Sequence, residues 1–153
     1  MMETASGARI REARLEDAAA LAGLATQLGY PSTPEELAAR LKRILGQPDQ
    51  CVLVAETDGN EPRGFAHIAA GMALQSGEKA ELVGLVMEES LRGRGIGRKL
   101  VAASERWAAS HGFGTMVVRC NLVRTDTHRF YEQLGYECSK TQKHFRKSLK
   151  AES

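Results

Sequence analysis

Long apolar runs are absent. No window approaches the ~18–20 consecutive apolar residues that a membrane helix requires, so no membrane partner is expected. The opening residues, Met1 to Arg9, have neither a basic start nor an apolar run, and secretion is not indicated. Cysteine is scarce: Cys51, Cys120 and Cys138 are far apart, odd in number and without a Cys-x-x-Cys pair, which excludes a closed disulfide framework and zinc spacing. Reduced, buried thiols in a cytoplasmic protein are the expectation. The four histidines show no metal-ligand spacing, so no metal is expected. Proline is limited to four residues, and no linker, internal repeat or low-complexity tract is present, which excludes collagen-like and coiled-coil chains. Bulk charge of one sign is also missing. At a net charge of +2 the whole molecule is not a polyanion binder, and no nucleic-acid partner is expected. What is present, 153 residues with 42% hydrophobic side chains, suffices for a single domain over 1–153 with its core at about 8–149.

Ala8 to Arg14 alternates as an opening strand. Leu15 to Leu28 turns helical, with Ala18, Leu21, Ala25 and Leu28 at three-and-four spacing; Glu16 and Asp17 complement the positive end of its dipole, and Gly29 ends it. The next helix is marked more sharply. Thr33 caps it, Pro34 takes the first helical position and Glu36 completes a capping box. Leu37, Leu41, Ile44 and Leu45 supply its apolar face before Gly46 stops the run. From Cys51 the period becomes that of strands: Cys51 to Thr57, the turn Asp58-Gly59-Asn60, then Gly64 to Ala73 and Lys79 to Met87. Gly84 interrupts the last of these, a mark of a bulge or of close approach by another backbone or a ligand. A helix with Ile96, Leu100, Ala103 and Trp107 on one face follows, then a strand from Thr115 to Asn121 and a short helix from Thr125 to Leu134. Tyr136 to Ser139 and His144 to Leu149 again read as strands. This order predicts a mixed α/β fold, mostly antiparallel, with one right-handed parallel crossover from Lys79 through the Ile96 helix to Asn121.

The densest signal is Leu91-Arg92-Gly93-Arg94-Gly95-Ile96-Gly97-Arg98-Lys99, between a strand end and a helix start. Alternate glycines remove side chains, so successive backbone N–H groups can converge on an anion. The helix adds its own unpaired N–H groups and partial positive charge, and the arginines add charges suited to phosphate oxygens. The three effects coincide and favour a pyrophosphate; the bland alternative is a glycine-rich turn with solvated arginines. Two rival phosphate loops fit worse. A Walker loop needs Gly-Lys followed by Ser or Thr, and the dinucleotide fingerprint needs Gly-x-Gly-x-x-Gly, whereas Gly93, Gly95 and Gly97 are evenly spaced.

Arg92-Gly93-Arg94-Gly95-Ile96-Gly97 resembles the Arg/Gln-x-x-Gly-x-Gly/Ala signature of the GNAT superfamily of acetyl-CoA-dependent N-acetyltransferases. Phe130-Tyr131-Glu132-Gln133-Leu134-Gly135-Tyr136 is similar to that family's Phe/Leu-Tyr-Glu-x-x-Gly-Phe/Tyr segment, and the element order agrees over roughly Ala8 to Leu149. The resemblance implies a twisted sheet of six to seven strands flanked by about four helices, split in a V between the fourth and fifth strands. It implies that Leu85, Val86 and Met87 pair with the pantetheine arm, and that Arg92, Gly93, Arg94, Gly95, Gly97 and Arg98 bind the pyrophosphate. A backbone N–H near Leu85 would polarise the thioester carbonyl. Asn121 would bond the cofactor or cap the cleft, or else is a plain turn residue. Three features depart from the family pattern: Arg14 stands at a usual capping threonine, Thr127 at a usual alanine, and the Arg119 to Tyr131 connection is long.

A primary amine resembling lysine has a pKa near ~10.4, so at neutral pH most of it is unreactive ammonium and something must accept a proton. The departing thiolate benefits from a donor. Tyr131 stands at the family's donor position, or else packs its ring in the core. Glu81, eleven residues before Arg92, stands at the offset of the base in histone-type relatives, or else is an outward-facing strand carboxylate. Glu78, Glu88 and Glu89 lie at turns. His67 lines the substrate side or packs within its strand, His128 lies near the helix face of Tyr131, and His111 and His144 read as surface. Cys120 has no neighbouring base for covalent transfer.

The reading is thus an N-acetyltransferase that uses acetyl-CoA as cosubstrate and moves the acetyl group directly to a primary amine of a small molecule or peptide. A catalytically silent acyl-CoA-binding module of the same fold is the alternative, and a nucleotide-binding oxidoreductase a more distant one. Family habit implies a homodimer through the terminal strands.

Overall fold

The computed structural model describes residues 7–57, 59–119 and 125–150. The chain divides into two compact units, 1–119 and 120–153. In the first, the elements run β1 (Arg9–Glu12), α1 (Ala18–Leu28), α2 (Pro34–Leu45), β2 (Gln50–Glu56), β3 (Pro62–Ala73), β4 (Gly77–Met87), α3 (Ile96–Ser110) and β5 (Met116–Val118). The sheet order is β1-β2-β3-β4-β5. Its first three pairings are antiparallel and the fourth is parallel, with α3 as the crossover.

Local chemistry explains the helices. Glu36 N–H donates to the Thr33 hydroxyl at 3.1 Å and Thr33 N–H to the Glu36 carboxylate at 3.0 Å, the reciprocal cap written in the sequence. Leu21 and Leu24 of α1 and Leu41 of α2 join Val52, Val54 and Val86 in one core cluster, with Phe65 packed against it. Val54, Phe65 and Val86 are register partners, so this row of the sheet faces the two helices. The alternate row, which includes Leu53, Ala66, Ile68 and Leu82, is buried as well, and α3 packs against β2, β3 and β4. The buried stripe of α3 is turned from the expected Ile96, Leu100, Ala103 and Trp107. It runs through Ile96, Leu100, Val101, Ser104 and Ala108. Ser104 is hidden from a periodicity count by its polarity, but its hydroxyl donates to the Leu100 carbonyl at 2.7 Å and so can be buried. Trp107 stacks on His111 instead, ring centroids 4.3 Å apart.

An ion network fastens the first strand to the second. Arg11 Nε donates to Glu56 Oε2 at 2.6 Å, and its two terminal nitrogens donate to the Asp17 carboxylate at 2.9 Å each. Arg9 donates to the second Glu56 oxygen at 2.6 Å, and Arg14 N–H to Asp17 at 2.7 Å. Asp17 and Glu56 are only 5% and 4% exposed. The hydrogen bonds from Arg11 hold both carboxyls below their ordinary pKa against the opposing effect of burial. Groups with lowered folded pKa contribute stability above their unfolded pKa, near ~4, and that contribution is lost as pH falls. Arg11→Met leaves Glu56 to Arg9 alone and Asp17 to the Arg14 N–H alone, and is expected to cost about 1.5–3 kcal/mol in urea unfolding at pH 7. Its stability should also fall less steeply than that of the unaltered protein as pH drops from roughly 5 to 3. An unchanged denaturation midpoint would show that the network carries no stability.

The second unit holds α4 (Thr125–Gln133). Tyr136 N–H donates to the Tyr131 carbonyl at 3.0 Å, closing the helix over left-handed Gly135. Beyond it, 136–149 forms no strand among the described residues. The expected strands Tyr136 to Ser139 and His144 to Leu149 are therefore corrected, and among the described residues the sheet has five strands, not six to seven. Phe145 and Leu149 are 85% and 90% exposed, so alternation here has no buried face to reward it. Cys51 is buried, and desolvation pushes its thiol up to about 11. Cys138 is exposed, against expectation, and Cys120 lies outside the described residues. No helix among the described residues is long and apolar enough to cross a membrane.

Candidate active site

The site is built on β4. Its parallel ladder with β5 covers only Ala80, Glu81 and Leu82, opposite Met116, Val117 and Val118. From Val83 to Met87 it continues with β3 on one side and, among the described residues, no strand on the other. Among the described residues, the ladder between the fourth and fifth strands ends at Leu82, opposite Val118. One residue earlier on β3 the register slips: His67 pairs with Gly84 but Ile68 with Leu82, which leaves Val83 as the extra residue of a bulge. Of the two meanings open for Gly84, the bulge is the one observed; a Cβ there would meet only Phe65 Cε1, at 3.9 Å. The open stretch contains Leu85 and Met87, both half-buried, and Val86, which is buried against the Phe65 row.

The chain leaves β4 through a clamp that the sequence does not announce. Glu88 N–H donates to the Arg63 carbonyl at 2.8 Å. The Glu88 carboxylate accepts from Ser90 Oγ and Arg63 Nη1, each at 2.8 Å, and the two bonds hold its pKa below the usual range. A short helical turn, Glu89–Leu91, then leads into the glycine-rich segment. Gly93 and Gly95 have φ of +83° and +80°, left-handed values that other residues rarely adopt. Neither would bring a Cβ within 4 Å of another heavy atom, so the turn is open on its outer side. Gly95 begins α3, and the first bond of that helix runs from Lys99 N–H to the Gly95 carbonyl at 3.1 Å. The N–H groups of Ile96, Gly97 and Arg98 therefore have no carbonyl behind them within the helix. Arg92, Arg94 and Arg98 are exposed beside this turn. Lys99 is turned away, its ammonium donating to the Ala8 carbonyl, and desolvation lowers its pKa.

These features suit the diphosphate of a coenzyme: a side-chain-free cradle, a helix N-terminus and guanidinium groups meet at one place. No cluster of three or more His, Cys, Asp or Glu side chains able to hold a metal occurs among the described residues. A surface hollow of about 720 Å³ lies elsewhere, beside Arg11, Asp17 and Asn60, and none of the glycine-turn residues lines it.

Glu81 lies three residues before Gly84 and is not free-standing. Both its oxygens are 2.7 Å from Arg119 Nη1, with the two side chains 27% and 62% exposed. His67 is half-buried and its Nε2 is 2.7 Å from Gln50 Oε1. Arg119 and Gln50 were not legible as functional residues, since each meets its partner only through strand pairing. In the second unit, the Tyr131 ring is buried, edge-on to Phe130 at 5.1 Å and to Tyr136 at 5.7 Å between centroids. Asn121 lies outside the described residues.

Residues 15–136 match the acetyltransferase (GNAT) family. N-acetylaspartate synthetase of Homo sapiens is 29% identical over 89 residues, 58% of this chain but only 28% of that protein, so the chain spans about a quarter of its length. Aminoglycoside N(6')-acetyltransferase type 1 of Stenotrophomonas maltophilia is 26% identical over 149 residues, which cover 95% of this chain and 96% of that one. Among solved structures, aminoglycoside N-acetyltransferase AAC(6')-Iy in complex with CoA shares the fold, with a TM-score of 0.83 and 24% identity over 92% of this chain and 94% of that one.

Proposed function

Because the chain belongs to the acetyltransferase (GNAT) family, we propose that it uses acetyl-CoA to acetylate a primary amine of a small molecule or peptide by direct transfer. The observation that carries this reading is the run of β4 into two left-handed glycines and the N-terminus of α3. Acetyl-CoA, when bound, supplies a thioester that an amine can attack. The chain's own residues do the rest. Gly93, Gly95 and Gly97 and the opening N–H groups of α3, with Arg92, Arg94 and Arg98, hold the diphosphate. Leu85, Val86 and Met87 offer main-chain groups along the pantetheine arm, and an N–H near Leu85 stabilises charge on the carbonyl oxygen. The Tyr131 hydroxyl gives a proton to the departing sulfur. The almost full-length likeness to an aminoglycoside N(6')-acetyltransferase supports a small-molecule acceptor.

Calorimetric titration of CoA, followed by thiol release from acetyl-CoA with polyamines, aminoglycosides, amino acids and peptides, tests the reading. Binding of CoA and amine-dependent thiol release are expected. Folded protein that gives no heat with CoA would overturn the proposal, and tight CoA binding without turnover on any amine would assign a silent acyl-CoA-binding module instead.

A further inference from the structure

We propose that His67 is the residue that takes the proton from the attacking amine, while Glu81 is the fixed partner of Arg119; the assignment rests on the transferase reading above. His67 stands on β3 directly opposite Gly84, at the bulge that follows the last described β5 pairing of β4, at Leu82. Opposite residues of an antiparallel pair share a face. The imidazole therefore stands beside a position without a side chain, on the stretch of β4 where the thioester is proposed to lie. The glycine gap is an approach that a larger residue would fill.

The ring is also prepared for the task. Gln50 Oε1 lies 2.7 Å from Nε2, and an amide oxygen only accepts, so Nε2 carries the hydrogen and Nδ1 the lone pair. Burial lowers the ring's pKa from its ordinary 6.5, which keeps Nδ1 available at neutral pH. Charged groups around it are few or already committed. α1, packed on β3, carries no titratable side chain. On β2, Glu56 is bound by Arg9 and Arg11. On β4, Glu78 stands opposite Met72, five residues along β3 from His67, Lys79 donates to Ser76 and Glu81 is held by Arg119. Arg98, Lys99, Glu105 and Arg106 belong to α3, on the opposite face of the sheet. Glu81 is the poorer acceptor, because protonating it means giving up a bond from Arg119 to both of its oxygens.

In the step itself, the amine nitrogen forms its bond to the acetyl carbon as the carbon–sulfur bond breaks. The nitrogen's proton passes to Nδ1, the sulfur leaves with the electron pair and is protonated, and the imidazolium returns its proton to water.

The test is the pH profile of kcat at saturating acetyl-CoA and amine, for the unaltered protein and for His67→Gln. The unaltered protein should lose activity on an acid limb displaced below the ordinary imidazole pKa of 6.5, as the buried ring protonates. His67→Gln should lose roughly 10²-fold in kcat at pH 7 and lose that acid limb, with CoA affinity by calorimetry unchanged. Added imidazole should restore turnover to His67→Ala. A His67→Gln enzyme that keeps both the limb and its rate overturns the assignment, as does loss of the limb in Glu81→Gln alone. Both results differ from a failure of the transferase reading, in which even the unaltered protein gives no heat with CoA.

Discussion

Gly95→Trp is expected to abolish the calorimetric signal of CoA while the protein remains folded. Apart from its chain neighbours and the backbone of its own helix, no heavy atom lies within 4 Å of a Cβ built at Gly95, so a side chain there starts into open space at the turn. That space adjoins the opening N–H groups of α3, where the diphosphate is proposed to lie. Losing two charge-assisted hydrogen bonds to phosphate, at about 1.5–3 kcal/mol each, weakens binding by roughly 10²–10⁴-fold. The left-handed backbone at φ +80° adds a separate strain for any side chain, on the order of 1–2 kcal/mol of stability. Gly95→Ala carries the same strain with little bulk, so it should melt like the tryptophan variant yet still bind CoA. Equal loss of binding in the two variants would trace the effect to backbone strain and not to obstruction, and CoA binding retained by Gly95→Trp would remove the turn from the cofactor site.

Tyr131→Phe should lower kcat by roughly 10²–10⁴-fold, the range for removal of a positioned acid. The ring lies edge-on between Phe130 and Tyr136, and phenylalanine keeps both contacts. Only the hydroxyl is lost, so stability should change by about 1 kcal/mol and CoA affinity should hold. The split between binding and turnover is the informative part. An unchanged kcat would leave Tyr131 a core residue with no part in proton transfer.

What could be read from the sequence was whatever depends on neighbours along the chain. The capping box of Thr33 and Glu36, the glycine that opens α3 and the interruption at Gly84 are local signals, and each has its counterpart in the structure. Pairs that the sheet brings together could not be read. Arg11 meets Glu56 only because β1 and β2 run antiparallel in one register, and Gln50 meets His67 only through the pairing of β2 with β3. Arg119 reaches Glu81 across the short parallel ladder, 38 residues away along the chain. Asp17 illustrates the cost of local reading. Its place at the start of a helix suggested a dipole partner, but its carboxylate is claimed by Arg11 from the preceding strand. The C-terminal segment erred in the other direction: period-two alternation around Phe145 and Leu149 is a statement about a face, and no face is covered there.

The commitment of Lys99 to the Ala8 carbonyl has a further effect on how the protein responds to acidity. With that ammonium engaged at the start of the first strand, the fixed positive charges flanking the turn are the guanidinium groups of Arg92, Arg94 and Arg98. Guanidinium does not lose its proton in proteins. Carrier capture should therefore stay level from neutral into alkaline buffer, where changes in the activity curve belong to the proton-handling groups.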